Sequence, residues 1–380
     1  MKTNKPRLAL SILVLVPLVI WTLLPSHLQR AILYQHPGID DYKLFENRVI
    51  SASPNPVPWP VSEHYNQKNL ATQWRDSLEH YKTVAYLVVK NDSLLHEEYW
   101  DNYGTTSLSN SFSMAKSIVG LLVGCAIEDG KIESVDQKAA DFLPHLNSGW
   151  GEKLTIKDLL TMSSASSWDE SYSSATSITT KAYYGKKLNK LMETITIDSE
   201  PGVTFEYESG NTQLLAMIVE KATGKNIAQY TTEKLWQPLG AEHDALWSLD
   251  HDSGIEKAYC CFNSNARDFA RLGLLVQHHG MVYGQQIVPA DYISATMTPA
   301  THLKDKNGAV VDYYGYHWWL LNYRNMTMPV ARGILGQYII VIPEHKAIVV
   351  RLGHERSQIQ TNNFPIDIYA YVDAALEILK

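Results

Sequence analysis

Hydrophobic and polar positions change period three times along this chain. The first stretch has no period: residues 8–24 are apolar apart from Ser11 and Thr22, contain Pro17, and follow Lys2, Lys5 and Arg7. A run of about 17 such residues sits at the lower edge of a bilayer span and is slightly long for the core of a cleaved signal peptide. No small-x-small cleavage site follows, so residues 1–25 are expected to form an uncleaved inner-membrane anchor. The basic flank then stays in the cytoplasm and the body of the protein lies on the periplasmic face; release to the periplasm after cleavage is the alternative. Pro54, Pro56, Pro58 and Pro60 follow. Proline at that density favours polyproline II and blocks helix, which makes 26–62 an extended linker and starts the folded domain at 63.

Beyond the prolines, β-favouring residues at 83–89 and 94–100 flank the turn Lys90-Asn91-Asp92-Ser93 and predict a hairpin. A 3.6-residue period then takes over. Met114, Ile118, Leu121, Leu122 and Cys125 mark one buried helical stripe, and Leu214, Leu215, Ile218, Val219 and Ala222 mark another that stops at Gly224. Gly120 and Gly124 inside the first helix imply close approach of another element, since each weakens a helix by roughly 1 kcal/mol relative to alanine. Strand character returns at 316–323, 337–342 and 347–352, with a turn at Pro343-Glu344-His345-Lys346, and a helix over 366–379 closes the chain. Strands at both ends around a helical middle predict an α+β fold: one antiparallel sheet built from both ends of the chain, flanking helices, and an inserted helical lobe.

Composition removes several functions. The 380 residues carry a net charge of -7, with no basic stripe and no Gly-rich phosphate loop, which argues against nucleic acid and nucleotide partners. The 14 histidines form no H-E-x-x-H pattern and the three cysteines no metal-binding spacing, so neither metal nor cofactor is expected. Cys125, Cys260 and Cys261 are expected as buried thiols rather than a disulfide framework.

Candidate chemistry lies at Ser113-Met114-Ala115-Lys116. Residues i and i+3 share a helix face with Cβ atoms about 5–6 Å apart, so the Lys116 amine can reach the Ser113 hydroxyl. Serine needs an adjacent base to become a nucleophile, and lysine is one only when burial lowers its pKa. S-x-x-K alone is weak, because it arises by chance about once in a chain of this length. A second cluster, Phe205-Glu206-Tyr207-Glu208-Ser209-Gly210-Asn211, opens the later helix. Tyr207 there suits a proton relay, although an interfacial aromatic beside an N-cap is the plainer reading.

With Thr155-Ile156-Lys157-Asp158-Leu159-Leu160-Thr161-Met162-Ser163-Ser164 and Ala266-Arg267-Asp268-Phe269-Ala270-Arg271-Leu272-Gly273, these segments resemble the serine β-lactamase and penicillin-binding-protein superfamily over roughly residues 80–355. The resemblance is to the branch holding class C β-lactamases, family VIII esterases and 6-aminohexanoate-dimer hydrolases. It implies that Ser113 attacks a carbonyl, Lys116 takes its proton, and Tyr207 shuttles protons. It also implies an oxyanion hole made by the Ser113 N–H and a second N–H from the late strand 330–337, with Ala331 and Gly333 as candidates. Ser209 stands where the family's Tyr-x-Asn box has Asn, and Met328-Pro329-Val330 or Ala331-Arg332-Gly333 stands where Lys-Thr-Gly belongs. Losing Lys-Thr-Gly disfavours β-lactam turnover and leaves Arg332 as a substitute charge. The form is more similar to the dimer-hydrolase and esterase branch, whose W-x-E-x-Y context matches Trp168-Asp169-Glu170-Ser171-Tyr172 and makes Tyr172, with Ser209, a substrate-binding candidate.

The leading expectation is an extracytoplasmic serine hydrolase acting on a small-molecule or peptide-like ester or amide. A β-lactamase or D-Ala-D-Ala carboxypeptidase is the runner-up. A non-catalytic cell-envelope binding protein on the same scaffold is the third reading.

Overall fold

The computed structural model describes residues 19, 21–172 and 174–380, so residues 1–18 and 20 of the expected anchor lie outside the described residues. Among the described residues no helix is long and apolar enough to cross a membrane. The described residues include helix α1 (Ser26–Tyr34), strand β1 (Asn47–Ile50), helix α2 (Thr72–His80) and strands β2 (Thr83–Lys90), β3 (Ser93–Tyr99) and β4 (Ser109–Asn110). Helices α3 (Met114–Glu128), α4 (Ile156–Leu160), α5 (Ile178–Tyr184) and α6 (Ser209–Thr223) follow, then strands β5 (Ala245–Ser248) and β6 (Phe262–Ser264) and helix α7 (Ala266–Gln277). Strands β7 (Trp319–Tyr323), β8 (Met326–Gly333), β9 (Gln337–Ile342) and β10 (Ala347–Gly353) precede the closing helix α8 (Asp367–Leu379).

The main sheet is antiparallel in the order β7-β8-β9-β10-β2-β3, so the two ends of the chain meet where β10 pairs with β2. The expected α+β plan is the observed one. At the β2–β3 turn Asn91 and Asp92 take positive φ, 47° and 60°, which their short polar side chains tolerate and which matches the twist of a hairpin. Every residue of β9 and β10 is buried, because helices cover both faces. On one face Gly273 of α7 lies so close that an added Cβ would stand 2.6 Å from Ile348. On the other, the Tyr86 hydroxyl of β2 donates to the Tyr371 carbonyl of α8 at 2.7 Å.

Helix α3 runs through the centre, with thirteen of its fifteen residues buried. Its glycines serve the close approach expected of them: a Cβ at Gly124 would collide with Val288 at 2.5 Å, and one at Gly120 would press on His317 at 3.1 Å.

Segment 26–62 departs from the expected extended linker. It supplies α1 and β1, and β1 pairs with β5 in a second sheet of order β1-β5-β6-β4. The prolines do keep 51–60 free of helix and strand, but they do not stop apolar side chains from burying. Ile39 and Ile50 are fully buried, and the Trp59 indole N–H donates to the Arg267 carbonyl at 2.9 Å. The cysteines also differ. Cys260 and Cys261 are bonded to each other, while Cys125 is free and buried.

Candidate active site

The turn from β4 into α3 presents Ser113. Its geometry is forced: Phe112 takes φ 45°, a conformation that costs a bulky residue about 1–3 kcal/mol and survives only where neighbours hold it. Here Asn110 accepts the Phe112 N–H through Oδ1 at 2.9 Å, and Ser111 donates its N–H to the Phe262 carbonyl of β6 at 2.8 Å. Ser113 thereby stands at the first turn of α3, half-buried, with its hydroxyl facing a cleft.

Lys116 is 1% exposed one turn later. Its Nζ donates to Ser113 Oγ at 3.1 Å, Ser209 Oγ at 3.0 Å and the Tyr259 carbonyl at 2.9 Å. Burial lowers its pKa to about 8, against the opposing pull of the Glu170 carboxylate. Desolvation wins because no carboxylate touches the amine directly. Tyr207 is moved the other way. Burial raises its phenol above the ordinary value, while contact with Ser113 and the charges of Arg332 and Arg356 oppose the rise. The two shifts run in opposite senses: burial eases loss of the amine's proton and hinders loss of the phenol's. The proximity of the two groups is direct, with Lys116 Nζ 5.2 Å from the Tyr207 ring centroid.

The Tyr207 ring is fixed by Trp319 of β7 at 5.3 Å and Tyr314 at 6.2 Å between centroids. Ser209 opens α6, directly beneath Lys116. Its N–H donates to Glu170 Oε2 at 2.6 Å and its hydroxyl to Glu170 Oε1 at 2.7 Å. Glu170 also accepts from the Trp168 indole at 2.7 Å and from the Tyr172 hydroxyl. Tyr172 is exposed over its ring and lines the cleft.

The end of β8 reaches the same place. A Cβ at Gly333 would stand 2.2 Å from the Ser111 carbonyl, so only glycine lets the strand end pack against the turn that carries Ser113. Ile334, the next residue, lines the cleft with Ser113, whereas Ala331 is fully buried opposite Ile339 and does not. Arg332 spends its guanidinium on the wall: it lies 3.6 Å over the Trp319 ring and donates to the Asn363 carbonyl at 2.7 Å.

Ser113, Lys116, Tyr207, Ser209 and Tyr172 thus converge, while Ala331 and Arg332 stand behind the cleft wall. Glu170, Tyr259 and Ile334 escaped the sequence reading. Glu170 was visible inside Trp168-Asp169-Glu170-Ser171-Tyr172, but Tyr259 acts through a backbone carbonyl, which no side-chain pattern signals. The cleft is about 190 Å³, walled by Ala31 of α1, Phe112, Tyr183, Tyr184, Tyr259 and Cys260, and no charged side chain lines it among the described residues.

The sequence profile of the Beta-lactamase family matches residues 75–363. A curated 6-aminohexanoate-dimer hydrolase of Paenarthrobacter ureafaciens is 26% identical over 303 residues, covering 74% of this chain and 76% of that protein. A Bacillus anthracis structure proposed to be a 6-aminohexanoate-dimer hydrolase superposes with TM-score 0.73 at 22% identity, over 90% of this chain and 92% of that one. A family VIII carboxylesterase superposes with TM-score 0.63 at 15% identity, over 84% and 99%. The fold, the span of the profile match and the hydrolase relatives agree, and the chain belongs to the beta-lactamase family of serine hydrolases.

Proposed function

We propose that this enzyme hydrolyses an ester or amide through an acyl-Ser113 intermediate, with Lys116 as base and Tyr207 as proton relay. The observation that carries the reading is a buried amine, lowered to about pKa 8, bonded to the hydroxyl of Ser113. At pH 7 about a tenth of such amines are neutral, enough for a base that is regenerated each turnover. Ser113 Oγ bonds to the substrate carbonyl carbon as its proton passes to Lys116, and the carbonyl oxygen becomes an oxyanion. The Ser113 N–H and, from the end of β8, the Ile334 N–H are the donors assigned to that charge; such donors supply roughly 10²–10³ in rate. The leaving alkoxide or amine departs with a proton passed from Lys116 through the Tyr207 hydroxyl. Water then attacks the acyl carbon, gives its proton back along the same path, and frees Ser113.

The uncharged, aromatic-lined cleft favours a neutral apolar acyl group over a carboxylate-bearing β-lactam, for which Arg332 is already engaged. The apolar run at 8–24 behind a basic flank supports placing this chemistry outside the cytoplasm. A fluorophosphonate probe should label Ser113, and short neutral p-nitrophenyl esters should be cleaved faster than a chromogenic cephalosporin. Folded protein with Ser113 unlabelled would remove the acyl-serine reading, and preferential cephalosporin turnover would replace the ester reading with a lactamase.

A further inference from the structure

We propose that Glu170 is a positioning residue: by accepting the hydrogen bond of the Ser209 hydroxyl it leaves Ser209 only its lone pairs to offer Lys116, and so aims the Lys116 lone pair at Ser113. This rests on Lys116 being the base. A neutral lysine amine has two hydrogens and one lone pair. A serine hydroxyl has one hydrogen to give and lone pairs to accept with. Ser209 is 2% exposed, and its hydroxyl lies between Lys116 Nζ at 3.0 Å and Glu170 Oε1 at 2.7 Å. A carboxylate has no proton to offer, so the Ser209 hydrogen points to Glu170 and its oxygen faces the amine. The Tyr259 carbonyl, at 2.9 Å, is likewise an acceptor. Both amine hydrogens are then engaged by Ser209 and Tyr259, and the lone pair is left for the Ser113 proton at 3.1 Å. An asparagine at 209 would offer both acceptor and donor groups without assistance; a serine gains a fixed polarity only from a partner such as Glu170.

Glu170 is itself held. Its oxygens accept from the Ser209 N–H, the Trp168 indole and the Tyr172 hydroxyl, and the Trp168 ring packs against Gly210, where an added Cβ would stand 2.7 Å away. Other groups facing this cluster are Tyr207 and Tyr259, both phenols raised by burial, Glu208, raised by burial to about 7, and His317, lowered by burial to about 3. Arg332 and Arg356 act on Tyr207 from the sheet side.

The test is the pH profile of fluorophosphonate labelling at Ser113 in wild type, Glu170→Gln, Glu170→Asp, Ser209→Ala and Glu208→Gln. Glu170→Gln should lower the plateau about 10²-fold, the cost of misaimed groups. It should also move the acidic limb to lower pH, because loss of the carboxylate lets burial depress Lys116 further. Glu170→Asp keeps the charge and should restore the limb; Ser209→Ala should lower the plateau without that downward shift; Glu208→Gln should leave the Lys116 limb in place. A Glu170→Gln enzyme that stays folded with a wild-type plateau, or with a reduced plateau and an unmoved limb, overturns the proposal. If wild type itself is not labelled at Ser113, the acyl-serine reading falls first.

Discussion

Two lysines are buried among the described residues, and only one of them reaches Ser113. Lys116 is 1% exposed and has three oxygen partners, one of them the Ser113 hydroxyl. Lys257 is fully buried, its amine has no hydrogen-bond partner among the described residues, and it sits 3.1 Å from the Phe45 ring centroid with Tyr183 at 5.5 Å. Burial lowers both amines; at Lys257 Arg30 adds to the effect and Asp250 and Asp41 oppose it. A pKa depressed by desolvation therefore does not by itself make a base. What separates the two is oriented acceptors and a proton to receive, and those come from Ser209, Tyr259 and the turn at Phe112.

Removing the amines one at a time tests that contrast most strongly. Lys116→Ala should reduce Ser113 labelling and ester turnover by about 10²–10⁴-fold, the range of positioned acid–base catalysis. Lys257→Met should leave both rates at the wild-type value, since its amine reaches neither the cleft nor Ser113. Loss of labelling in a folded Lys257→Met enzyme would erase the distinction.

Stability should respond in the opposite order. Lys257→Met replaces an unpartnered buried amine with an apolar chain of similar size and should stabilise the fold by about 1–3 kcal/mol at pH 7, the usual penalty of an unmet polar group. The pH dependence follows from the direction of the shift. An amine whose folded pKa lies below the ordinary 10.5 holds fewer protons folded than unfolded between those values, so stability rises with pH across that window. Above about 8 Lys116 contributes up to about 1.4 kcal/mol per pH unit, and Lys257, lowered in the same direction, adds to the slope. Urea unfolding between pH 8 and 9.5, below the ordinary tyrosine range, should show the slope drop by one amine's share in Lys257→Met. An unchanged slope would mean that Lys257 is charged in the folded protein.

The contrast also explains what the sequence could disclose. Five of the six main-sheet strands, α3, α6 and α8 were legible from their apolar runs, with the Asn91-Asp92 turn and Gly224 punctuating them, whereas β8 was not: the expected late strand 330–337 runs from the end of β8 through a 3-10 turn at 334–336 to the start of β9. The proximity of Ser113 and Lys116 was legible because a spacing of three residues on a helix puts both on one face. The second sheet was not, because its strands are two to four residues long, below the reach of any period. Segment 26–62 misled because four prolines report the absence of backbone hydrogen-bonding, not the absence of packing. The bond between Cys260 and Cys261 and the acceptor at Tyr259 were invisible for a related reason: both depend on the path of the backbone, which composition does not encode.

That backbone path joins the two lysines. Lys257, Tyr259, Cys260 and Cys261 lie on one short segment, pinned by the Trp247 indole, which donates to the Lys257 carbonyl at 3.1 Å and the Cys260 carbonyl at 2.9 Å. Cys261 takes φ 64°, a left-handed conformation unfavourable to a side-chain-bearing residue, and its bond to Cys260 ties the peptide next to the Tyr259 carbonyl. Replacing both cysteines by serine should let that carbonyl drift from Lys116 while Trp247 still holds the rest. The expected effect is the smallest of the three, a loss of about 3–10-fold in the Ser113 labelling rate, short of the 10²-fold that an ångström's misplacement costs. A dithiol reductant should produce the same loss in wild type, by exchange with the Cys260–Cys261 bond, and none in the double-serine variant. Wild-type labelling in the double-serine variant would show that Trp247 alone positions the carbonyl, and that the acceptor distinguishing Lys116 from Lys257 does not depend on the sulfur bridge.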